Sequence, residues 1–471
     1  MNIDNLKEIE LNDCIIIINI ENGNVIELNK QLFSNKRVIT KELKKNKFFD
    51  ELVYSKKFNV DSFKTIYISL HISSKCNMNC KYCFMKDRKD NNLTFKDSIK
   101  FIDMIIDEYP NAGKYIVDPT GSGEPLLKLD HLCKIGDYCK QKSDELKREV
   151  LPMIVTNGLL LTEKTLEKLR KSGILFGVSL DGDKKTNEIY RYDYLENGTY
   201  KRVISNIENI KDKSLMGVAL TITDKNMDLV SNLKHLIKYF PTVSMKPVRA
   251  INSNMGINKS NIEKIKNSYT ELYKFVLKQT EKGNLEYLSA ILNGDDYFGK
   301  FLLRSILGMK VTTRCDAGIG RFSLAPDGLI YACPGAIDIP ELVVGTLNKG
   351  IDKEKREFLW NTLVNREKCQ DCYARFVCGG ECFVNAYYST KSIIEKDDIM
   401  CELKRHLFKL SLMFNDYLKQ MECYGVVIRG CVNKIKRFEE DKEVTNFLKN
   451  NPNVSFNDLK NNKNLYIEKR W

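Results

Sequence analysis

SKCNMNCKYCFMKD, residues 74–87, places Cys76, Cys80 and Cys83 in a C-x3-C-x2-C pattern with no fourth cysteine nearby. Structural zinc sites usually have four protein ligands, so three thiolates alone would leave such a site incomplete. Three thiolates can instead bind three corners of a [4Fe–4S] cluster and leave the fourth iron without a protein ligand. The spacing also allows three zinc ligands whose fourth partner is distant in the sequence. Both kinds of metal site stay open at this point.

The cysteine loop directly follows the first of six short β-rich runs, which alternate with helical patterns. The runs are IYISLHI (66–72), KYIVDPT (114–120), MIVTNG (153–158), ILFGVSLDG (174–182), LMGVALTIT (215–223) and VSMKPVR (243–249). Alternating strands and helices predict an α/β fold with a parallel sheet, here a partial (β/α)6 barrel of the TIM type. The chemistry of such a fold lies at the carboxyl ends of its strands. We therefore expect the cysteine loop to lie in the active site.

Composition limits the class of protein. The chain has 471 residues, 43% of them hydrophobic, which is enough for two or three domains. No apolar run approaches the roughly 20 residues of a membrane span, and MNIDNLKEIE lacks the apolar segment of a secretory signal. Fifteen cysteines without an export signal favour metal binding or catalysis over disulfides. We expect a cytoplasmic protein without a membrane partner, and without a nucleic-acid partner because the net charge of +13 is spread along the sequence.

Three further motifs stand at or just after the ends of the second, third and fourth runs. They are GSGEP (121–125), TNG (156–158) and SLDG (179–182). With the cysteine loop, they make the sequence over about 63–250 resemble the radical S-adenosylmethionine (SAM) superfamily. In that family the open iron of the cluster binds the amino and carboxylate groups of SAM. One electron from the cluster then cleaves SAM to a 5′-deoxyadenosyl radical.

The resemblance implies a role for each motif. Tyr82 would pack near the adenine, Glu124 would hold the SAM amino group, and Ser179 would contact the ribose. Arg191 falls where related enzymes bind the SAM carboxylate. Glu124 facing an ammonium group and Arg191 facing a carboxylate would suit an amino-acid-shaped cofactor. The full cofactor-binding set implied is Tyr82, Ser122, Gly123, Glu124, Thr156, Ser179 and Arg191.

Taken singly, these residues also have ordinary structural interpretations. Tyr82 fits a core aromatic residue, and Gly121 and Gly123 fit turn residues. Glu124 fits a surface charge, and Arg191 fits half of a salt bridge. One shared cofactor site explains all four residues at once, whereas the structural interpretations need a separate reason for each.

A second field, residues 314–401, is rich in cysteine and glycine. Its seven cysteines are Cys315, Cys333, Cys369, Cys372, Cys378, Cys382 and Cys401. On spacing alone they also fit zinc ribbons. With the upstream loop, the pattern C-x12-G-x4-C, then C-x2-C-x5-C-x3-C, then a final cysteine, is similar to the SPASM extension of radical SAM enzymes.

The resemblance implies two auxiliary [4Fe–4S] clusters and three clusters in all. One auxiliary cluster would be fully ligated by Cys369, Cys372, Cys378 and Cys401. The other would be held by Cys315, Cys333 and Cys382. Met309 stands where some relatives have a further ligand, so we hypothesise a second open iron that binds a substrate thiolate. The cysteines that would instead close this cluster are Cys14, Cys133, Cys139, Cys423 and Cys431.

The remaining segments complete the predicted domain organisation. Residues 1–62 contain CIIIINI and NVIEL around the turn-prone ENGN, which predicts a hairpin followed by a helix. They are interpreted as a small domain that recognises a leader peptide. The expected order is then a radical SAM core (63–260), a helical bridge (261–310), a SPASM domain (311–420) and a C-terminal tail (421–471).

The whole chain resembles SPASM maturases that form thioether crosslinks in ribosomally made peptides, the sactipeptide and ranthipeptide enzymes. The partners implied are a precursor peptide and an electron donor such as flavodoxin or ferredoxin. The first alternative is a sulfatase-type maturase that forms formylglycine, although Cys333 is followed by Pro334 and Gly335 where those enzymes usually have Cys-Asp. An alternative of another class is a zinc-binding, nucleic-acid-associated protein.

Overall fold

A computed structural model describes residues 5–10, 14–30, 43, 48–50, 58–85, 91–121, 123–211, 213 and 216–420. The strands are β1 (Leu6–Glu10), β2 (Cys14–Asn19), β3 (Val25–Asn29), β4 (Thr65–Leu70), β5 (Lys114–Asp118), β6 (Glu149–Thr156), β7 (Leu175–Ser179), β8 (Gly217–Ile222), β9 (Thr242–Pro247), β10 (Arg321–Leu324), β11 (Leu329–Tyr331), β12 (Val343–Thr346) and β13 (Gly350–Ile351). The predicted tail 421–471 and most of the predicted helix after the hairpin lie outside the described residues.

Helices connect most of these strands. They are α1 (Phe95–Glu108), α2 (Leu129–Leu146), α3 (Glu163–Lys171), α4 (Lys184–Tyr190), α5 (Tyr200–Glu208), α6 (Leu229–Leu236), α7 (Ile262–Glu281), α8 (Glu286–Ile291), α9 (Gly299–Ile306), α10 (Lys353–Val364), α11 (Arg375–Cys378), α12 (Phe383–Thr390) and α13 (Asp398–Gln420). Short 3₁₀ turns cover Val60–Ser62, Pro125–Lys128, Ala250–Met255, Pro334–Ala336, Pro340–Leu342 and Glu367–Cys369. In the part of the chain described here, no helix combines the length and the apolar character needed to cross a membrane.

The central sheet confirms the predicted α/β fold. Strands β4 to β9 lie side by side in sequence order, and each pairs in parallel with the next. They correspond to the six runs identified in the sequence. Ile66, Ile68 and Leu70 of β4 point to one face of the sheet and are fully buried in the core. The fold is that of a partial barrel, with the carboxyl ends of six strands at one edge.

The cysteine-rich field continues the same sheet. β10 pairs in parallel with β4 on the side opposite β5. From β10 the chain runs through β11, β12 and β13 in antiparallel order. The field therefore shares a sheet and a hydrophobic core with the barrel.

The N-terminal residues form a separate three-stranded antiparallel sheet in the order β1-β2-β3. The predicted hairpin is confirmed by the pairing of β2 with β3 around a turn in which Gly23 has φ +68°. β1 is a further strand that the sequence did not indicate. Ile16 and Ile18 pack into the main core, whereas Ile17 packs into a small second cluster.

The last helix, α13, is the long element of the C-terminal part. Apolar residues recur along its sequence at helical spacing, and these residues, Leu403, Leu407, Leu410, Phe414 and Leu418, are all buried. It packs against α7 and α9. These helices belong to the predicted helical bridge, whose break at ILNGDDYFGKF separates α8 from α9.

Candidate functional site

The motifs singled out in the sequence meet at one edge of the sheet. The cysteine loop follows β4, GSGEP follows β5, TNG begins at the end of β6, and SLDG begins at the end of β7. Because the carboxyl ends of parallel strands share an edge, these four segments are neighbours. Ser122 lies outside the described residues.

Backbone hydrogen bonds hold the cysteine loop from two sides. On one side the nitrogen of Glu124 donates to the carbonyl oxygen of Lys75 at 2.8 Å. On the other side the nitrogens of Asn79 and Lys81 donate to the carbonyl oxygens of Tyr192, just after α4, and Tyr190, at its end, at 2.8 and 2.9 Å. The first contact requires glycine at position 123, since a Cβ there would lie 2.0 Å from the Lys75 oxygen. The loop thus has a fixed position between two other motifs.

The three thiols of this loop lie close enough to affect one another. Burial, and to a smaller extent the nearby Glu124 and Cys83 groups, raises the pKa of Cys76. Burial raises the pKa of Cys80 to about 11, although the positive charge of Arg191 opposes this. A raised pKa means that the thiolate form is disfavoured unless a cation lies nearby. A metal cluster would supply the positive charge that stabilises their thiolate forms.

Glu124 is buried, with 2% of its surface exposed, so its interpretation as a surface charge is wrong. Its carboxylate accepts hydrogen bonds from the backbone nitrogens of Leu126 (3.1 Å) and Asn157 (2.8 Å) and from the hydroxyl of Thr156 (2.6 Å). A carboxylate offers about four acceptor positions. Three are used by these donors, and one is left for a donor outside the protein.

Tyr82, Asp181 and Arg191 form a buried network beside the cysteine loop. The Tyr82 hydroxyl donates to Asp181 Oδ2 at 2.5 Å, and Arg191 Nη1 donates to the same hydroxyl at 2.7 Å. Burial disfavours the charge on Arg191, but the neighbouring Tyr82, Cys80 and Asp181 groups outweigh it and raise the pKa of the guanidinium. Tyr82 is therefore more than a core aromatic residue, because its hydroxyl forms hydrogen bonds with both Asp181 and Arg191.

Sequence reasoning missed Asp181 as an individual residue, although it lies within SLDG. Asp181 is 2% exposed and also accepts a hydrogen bond from the backbone nitrogen of Thr221 at 2.9 Å. Asn157 was missed in the same way; its Nδ2 lies 3.8 Å from the Cys76 sulfur. The signal was available, since both residues lie in the quoted motifs, one or two positions after the end of a strand. Ser179 is the last residue of β7 and is partly exposed.

The thiols of the second field lie in two groups of neighbours. Cys315, Cys333 and Cys382 form the first group. Burial raises the pKa of Cys333 to about 11, with further contributions from the Cys382 and Cys315 thiols. Burial and then Cys382 also raise the pKa of Cys315. Each member is therefore within electrostatic reach of the other two.

The second group consists of Cys369, Cys372, Cys378 and Cys401. Burial raises the pKa of Cys369, and the nearby Cys378 and Cys372 thiols add to the effect. Burial raises the pKa of Cys401 to about 12, with Cys378 and Cys369 among its neighbours. Cys369 and Cys372 lie in one turn, in which the backbone nitrogen of Cys372 donates a hydrogen bond to the carbonyl oxygen of Cys369 at 3.1 Å.

A buried ion pair lies beside both groups. Lys404 Nζ is 2.6 Å from Glu381 Oε2, and both side chains are at most 2% exposed. Glu381 precedes Cys382 in the chain, and its Oε2 lies 3.9 Å from the Cys401 sulfur. The pair therefore connects the surroundings of the two groups.

Three of the cysteines that were candidates to close the incomplete group are located elsewhere. Cys133 and Cys139 lie on α2, where the Cys133 sulfur is 4.0 Å from the carbonyl oxygen of Lys168. The Cys14 sulfur lies 4.0 Å from Asp416 Oδ2 on α13. Cys423 and Cys431 lie outside the described residues.

Arg249 is a further residue that sequence reasoning missed. Its guanidinium carbon lies 4.1 Å from the centre of the Phe84 ring, next to Cys83. Its charge also reaches Cys333, and a Cβ at Gly335 would overlap its Nη1. This Nη1 is buried and has no hydrogen-bond partner among the described residues. Arg249 therefore lies between the first cysteine loop and the incomplete group, with a donor available.

Comparison with known proteins identifies a family match and several relatives. Residues 70–228 match the Radical SAM superfamily. The radical SAM cyclopropyl synthase TigE of Paramaledivibacter caminithermalis is 24% identical over 370 residues, covering 73% of each chain. A cysteine-type anaerobic sulfatase-maturating enzyme of Clostridium novyi is 22% identical over 370 residues, covering 75% of this chain and 96% of its own.

Two solved structures share the fold. Native anSMEcpe with bound AdoMet and Kp18Cys peptide has a TM-score of 0.59 and 19% identity, covering 78% of this chain and 99% of that one. Streptococcus suis SuiB bound to precursor peptide SuiA has a TM-score of 0.50 and 17% identity, covering 84% and 98%. At these identities the likeness shows the fold alone.

The donor sets fit the cofactors that the resemblance implies. Thiols gather in groups of three, three and four, and thiolates are the usual ligands of iron–sulfur clusters. The first group lies beside a buried carboxylate with a remaining acceptor position, that of Glu124, and beside the cationic Arg191. These two charges match the ammonium and carboxylate groups of SAM.

Proposed function

Because residues 70–228 form a radical SAM domain, we propose that the chain is a peptide maturase that joins a cysteine sulfur to a carbon atom in a thioether. Its substrate is a ribosomally synthesised precursor peptide. The observation that supports this proposal is the position of Arg249, which packs on Phe84 beside Cys83 and is electrostatically close to Cys333 of the proposed incomplete group Cys315, Cys333 and Cys382. A cluster held by three thiolates has a corner that a substrate thiolate can occupy.

The chain's own residues bind and orient the cofactors in this proposal. Cys76, Cys80 and Cys83 hold the first cluster, Glu124 accepts hydrogen bonds from the SAM amino group, and Arg191 donates to its carboxylate. Thr156 and the backbone of Asn157 fix the Glu124 carboxylate in place, and Tyr82 fixes Arg191. Ser122, Gly123 and Ser179 complete the proposed SAM site. When bound, SAM and three [4Fe–4S] clusters supply hydrogen-atom abstraction and removal of the remaining electron.

Water exclusion and placement are the other contributions of the chain. Glu124 and Asp181 at this edge of the sheet are each only 2% exposed. Reacting atoms need a separation of about 3–3.5 Å. Arg249 is proposed to bind a carbonyl or carboxylate of the peptide through its unpaired Nη1. The backbone of the peptide would then lie between the first cluster and the incomplete group.

Two structures of similar fold support peptide binding. The anSMEcpe structure holds a Kp18Cys peptide, and the SuiB structure holds its precursor peptide SuiA. We also propose that the β1-β2-β3 sheet recognises a leader segment by adding a strand at one of its edges, β1 or β3. Reduced flavodoxin or ferredoxin is the proposed electron donor.

The second candidate function is formylglycine formation, favoured by the sulfatase-maturating relatives. Against it stand Pro334 and Gly335 after Cys333, where the aspartate of those enzymes is usually found. Gly335 instead makes room for Arg249. The two reactions leave different groups on the peptide, so one experiment separates them.

The test is anaerobic co-expression of the chain with a cysteine-containing precursor peptide encoded nearby, followed by mass spectrometry. A thioether removes two hydrogens and leaves a cysteine that iodoacetamide no longer alkylates. Formylglycine instead creates an aldehyde that a hydrazide captures. Hydrazide capture would establish the second function, and an unmodified peptide in the presence of active SAM cleavage would contradict both.

A further inference from the structure

A second group of potential metal ligands lies outside the proposed iron–sulfur sites. The sulfur of Cys14 and carboxylate oxygens of Glu27 and Asp416 all lie within 4.8 Å of one another. The Cys14 sulfur is 4.0 Å from Asp416 Oδ2. These three residues come from β2, β3 and α13, so only the tertiary fold brings them together.

The strand register explains why two of the three side chains share a face. Glu27 pairs with Ile16, and Asn29 pairs with Cys14. Side chains two residues apart on a strand point to the same face, so Cys14 and Glu27 are diagonal neighbours there. Ile16 on that face belongs to the main core, and α13 covers it. Asp416 reaches the two strands from this helix.

Unpaired oxygen atoms give an independent indication of a ligand. The Oδ1 atoms of Asn415 and Asp416 are buried and have no hydrogen-bond partner among the described residues. Asn415 is only 1% exposed. Both residues line a small cavity of about 10 Å³ together with Glu27 and Lys419. Buried polar atoms are nearly always paired in native proteins, and a bound ion is a common partner for those that lack one within the chain.

The charges at this place also favour a cation. The facing groups in the described part of the chain are Cys14, Glu27, Asp416 and Lys419. Lys419 Nζ is 3.5 Å from Glu27 Oε2, and burial lowers its pKa. The ammonium group of Lys419 therefore faces two carboxyl groups and a thiol.

We propose that Cys14, Glu27 and Asp416 bind a divalent cation of the zinc type, with Asn415 Oδ1 as a further oxygen donor. One thiolate with carboxylate oxygens suits zinc, whereas calcium and magnesium take oxygen ligands only. Zinc–sulfur and zinc–oxygen bonds are about 2.3 and 2.0–2.2 Å long, so the ligand atoms move together by roughly 1 Å on binding. The ion fastens the N-terminal sheet to α13, and it competes with Lys419 for Glu27.

The test uses the full-length chain with its iron–sulfur clusters reconstituted. Zinc chloride is added anaerobically and excess metal is removed. The number of zinc ions per chain is then measured by elemental mass spectrometry. Zinc K-edge absorption then identifies the ligands without interference from iron. We expect one zinc per chain with one sulfur ligand at about 2.3 Å and the remaining ligands oxygen or nitrogen. No retained zinc, or zinc with three or four sulfur ligands, overturns the proposal.

Variants separate this site from other thiols. Cys14→Ser and Glu27→Gln should each lose at least tenfold in zinc affinity, and Cys133→Ser, a partly buried cysteine on α2, should bind zinc like the wild type. Glu27→Gln serves as the second variant if Cys14→Ser does not fold. Lys419→Met should bind zinc more tightly, because the competing ammonium group is gone. Unchanged affinity in both Glu27→Gln and Lys419→Met overturns the proposal.

Discussion

The hydroxyl of Tyr82 donates a 2.5 Å hydrogen bond to Asp181, which joins the cysteine loop to the segment after β7. Arg191 donates to the same hydroxyl. The Tyr82 hydroxyl thus connects Asp181 to Arg191, which lies ten positions later in the sequence. The orientation of Arg191 toward the first cysteine group depends on this oxygen.

Tyr82→Phe removes that oxygen and leaves Asp181 and Arg191 buried without it. We expect the free energy of unfolding to fall by about 1–3 kcal/mol, the cost of an unsatisfied buried polar group. Urea denaturation under anaerobic conditions measures the change. Tyr190→Phe is the matched control, because its hydroxyl bonds to Asp224 at a partly exposed position. An equal or larger loss in the control would contradict a special role for Tyr82.

Replacing Cys76, Cys80 and Cys83 together with alanine should abolish SAM cleavage. The iron content should fall from about twelve to about eight atoms per chain, because one of three four-iron clusters is lost. Iron analysis and chromatographic detection of 5′-deoxyadenosine measure the two effects. Cys139→Ala, a buried cysteine on α2, is the control and should keep both. Continued cleavage in the triple variant would refute the assignment of the first cluster.

Glu124→Gln should weaken SAM binding by about 1.5–3 kcal/mol, or roughly 10- to 150-fold, the range for a hydrogen bond to a charged group. The amide also places a donor where the carboxylate accepts from Thr156 and Asn157. Equilibrium dialysis with labelled SAM measures the dissociation constant. Glu163→Gln, an exposed residue in the first turn of α3, should bind SAM normally. An unchanged constant in Glu124→Gln would exclude the proposed contact.

Gly123→Ala tests the contact between GSGEP and the cysteine loop. A Cβ at this position lies 2.0 Å from the Lys75 oxygen, so one of the two loops has to move. Overpacking of this kind costs about 1–3 kcal/mol, and we expect SAM cleavage to fall at least tenfold. Gly217→Ala is the control, since its nearest atom would be 3.9 Å away. Comparable activity of the two variants would show that the close approach is not required.

Arg249→Met should raise the KM for the precursor peptide about tenfold or more, because the peptide loses one hydrogen bond to a charged donor. SAM cleavage in the absence of peptide should be unchanged. Single-turnover assays with and without peptide measure both quantities, and iron analysis verifies that the clusters are intact. Arg202→Met, on the exposed surface, is the control. A parallel loss of peptide-independent cleavage would place Arg249 in the SAM site instead.

The sequence alone determined the order of the six parallel strands, the hairpin and the apolar face of α13. These features depend on local periodicity, which a strand or helix carries within itself. It also indicated the edge of the sheet where the motifs meet, because parallel strands place their carboxyl ends together. The cysteine spacing and its family resemblance predicted two ligand groups in the second field, which stay a prediction until the metal content is measured.

Only the tertiary structure decided how distant segments combine. It placed β10 beside β4, buried Glu124, and joined Tyr82 to Asp181 and Arg191. It also located Arg249 between two groups of cysteines. No local pattern predicts such contacts, because they depend on which faces of remote elements pack together.

The group of Cys14, Glu27 and Asp416 shows the same limit most clearly. In the sequence these are an isolated cysteine, a strand glutamate and a helix aspartate, and each looks ordinary. The register of β2 and β3 places two of them on one face, and the packing of α13 adds the third. Their relationship spans 402 positions in the chain, so burial and long-range packing, rather than residue type, created it.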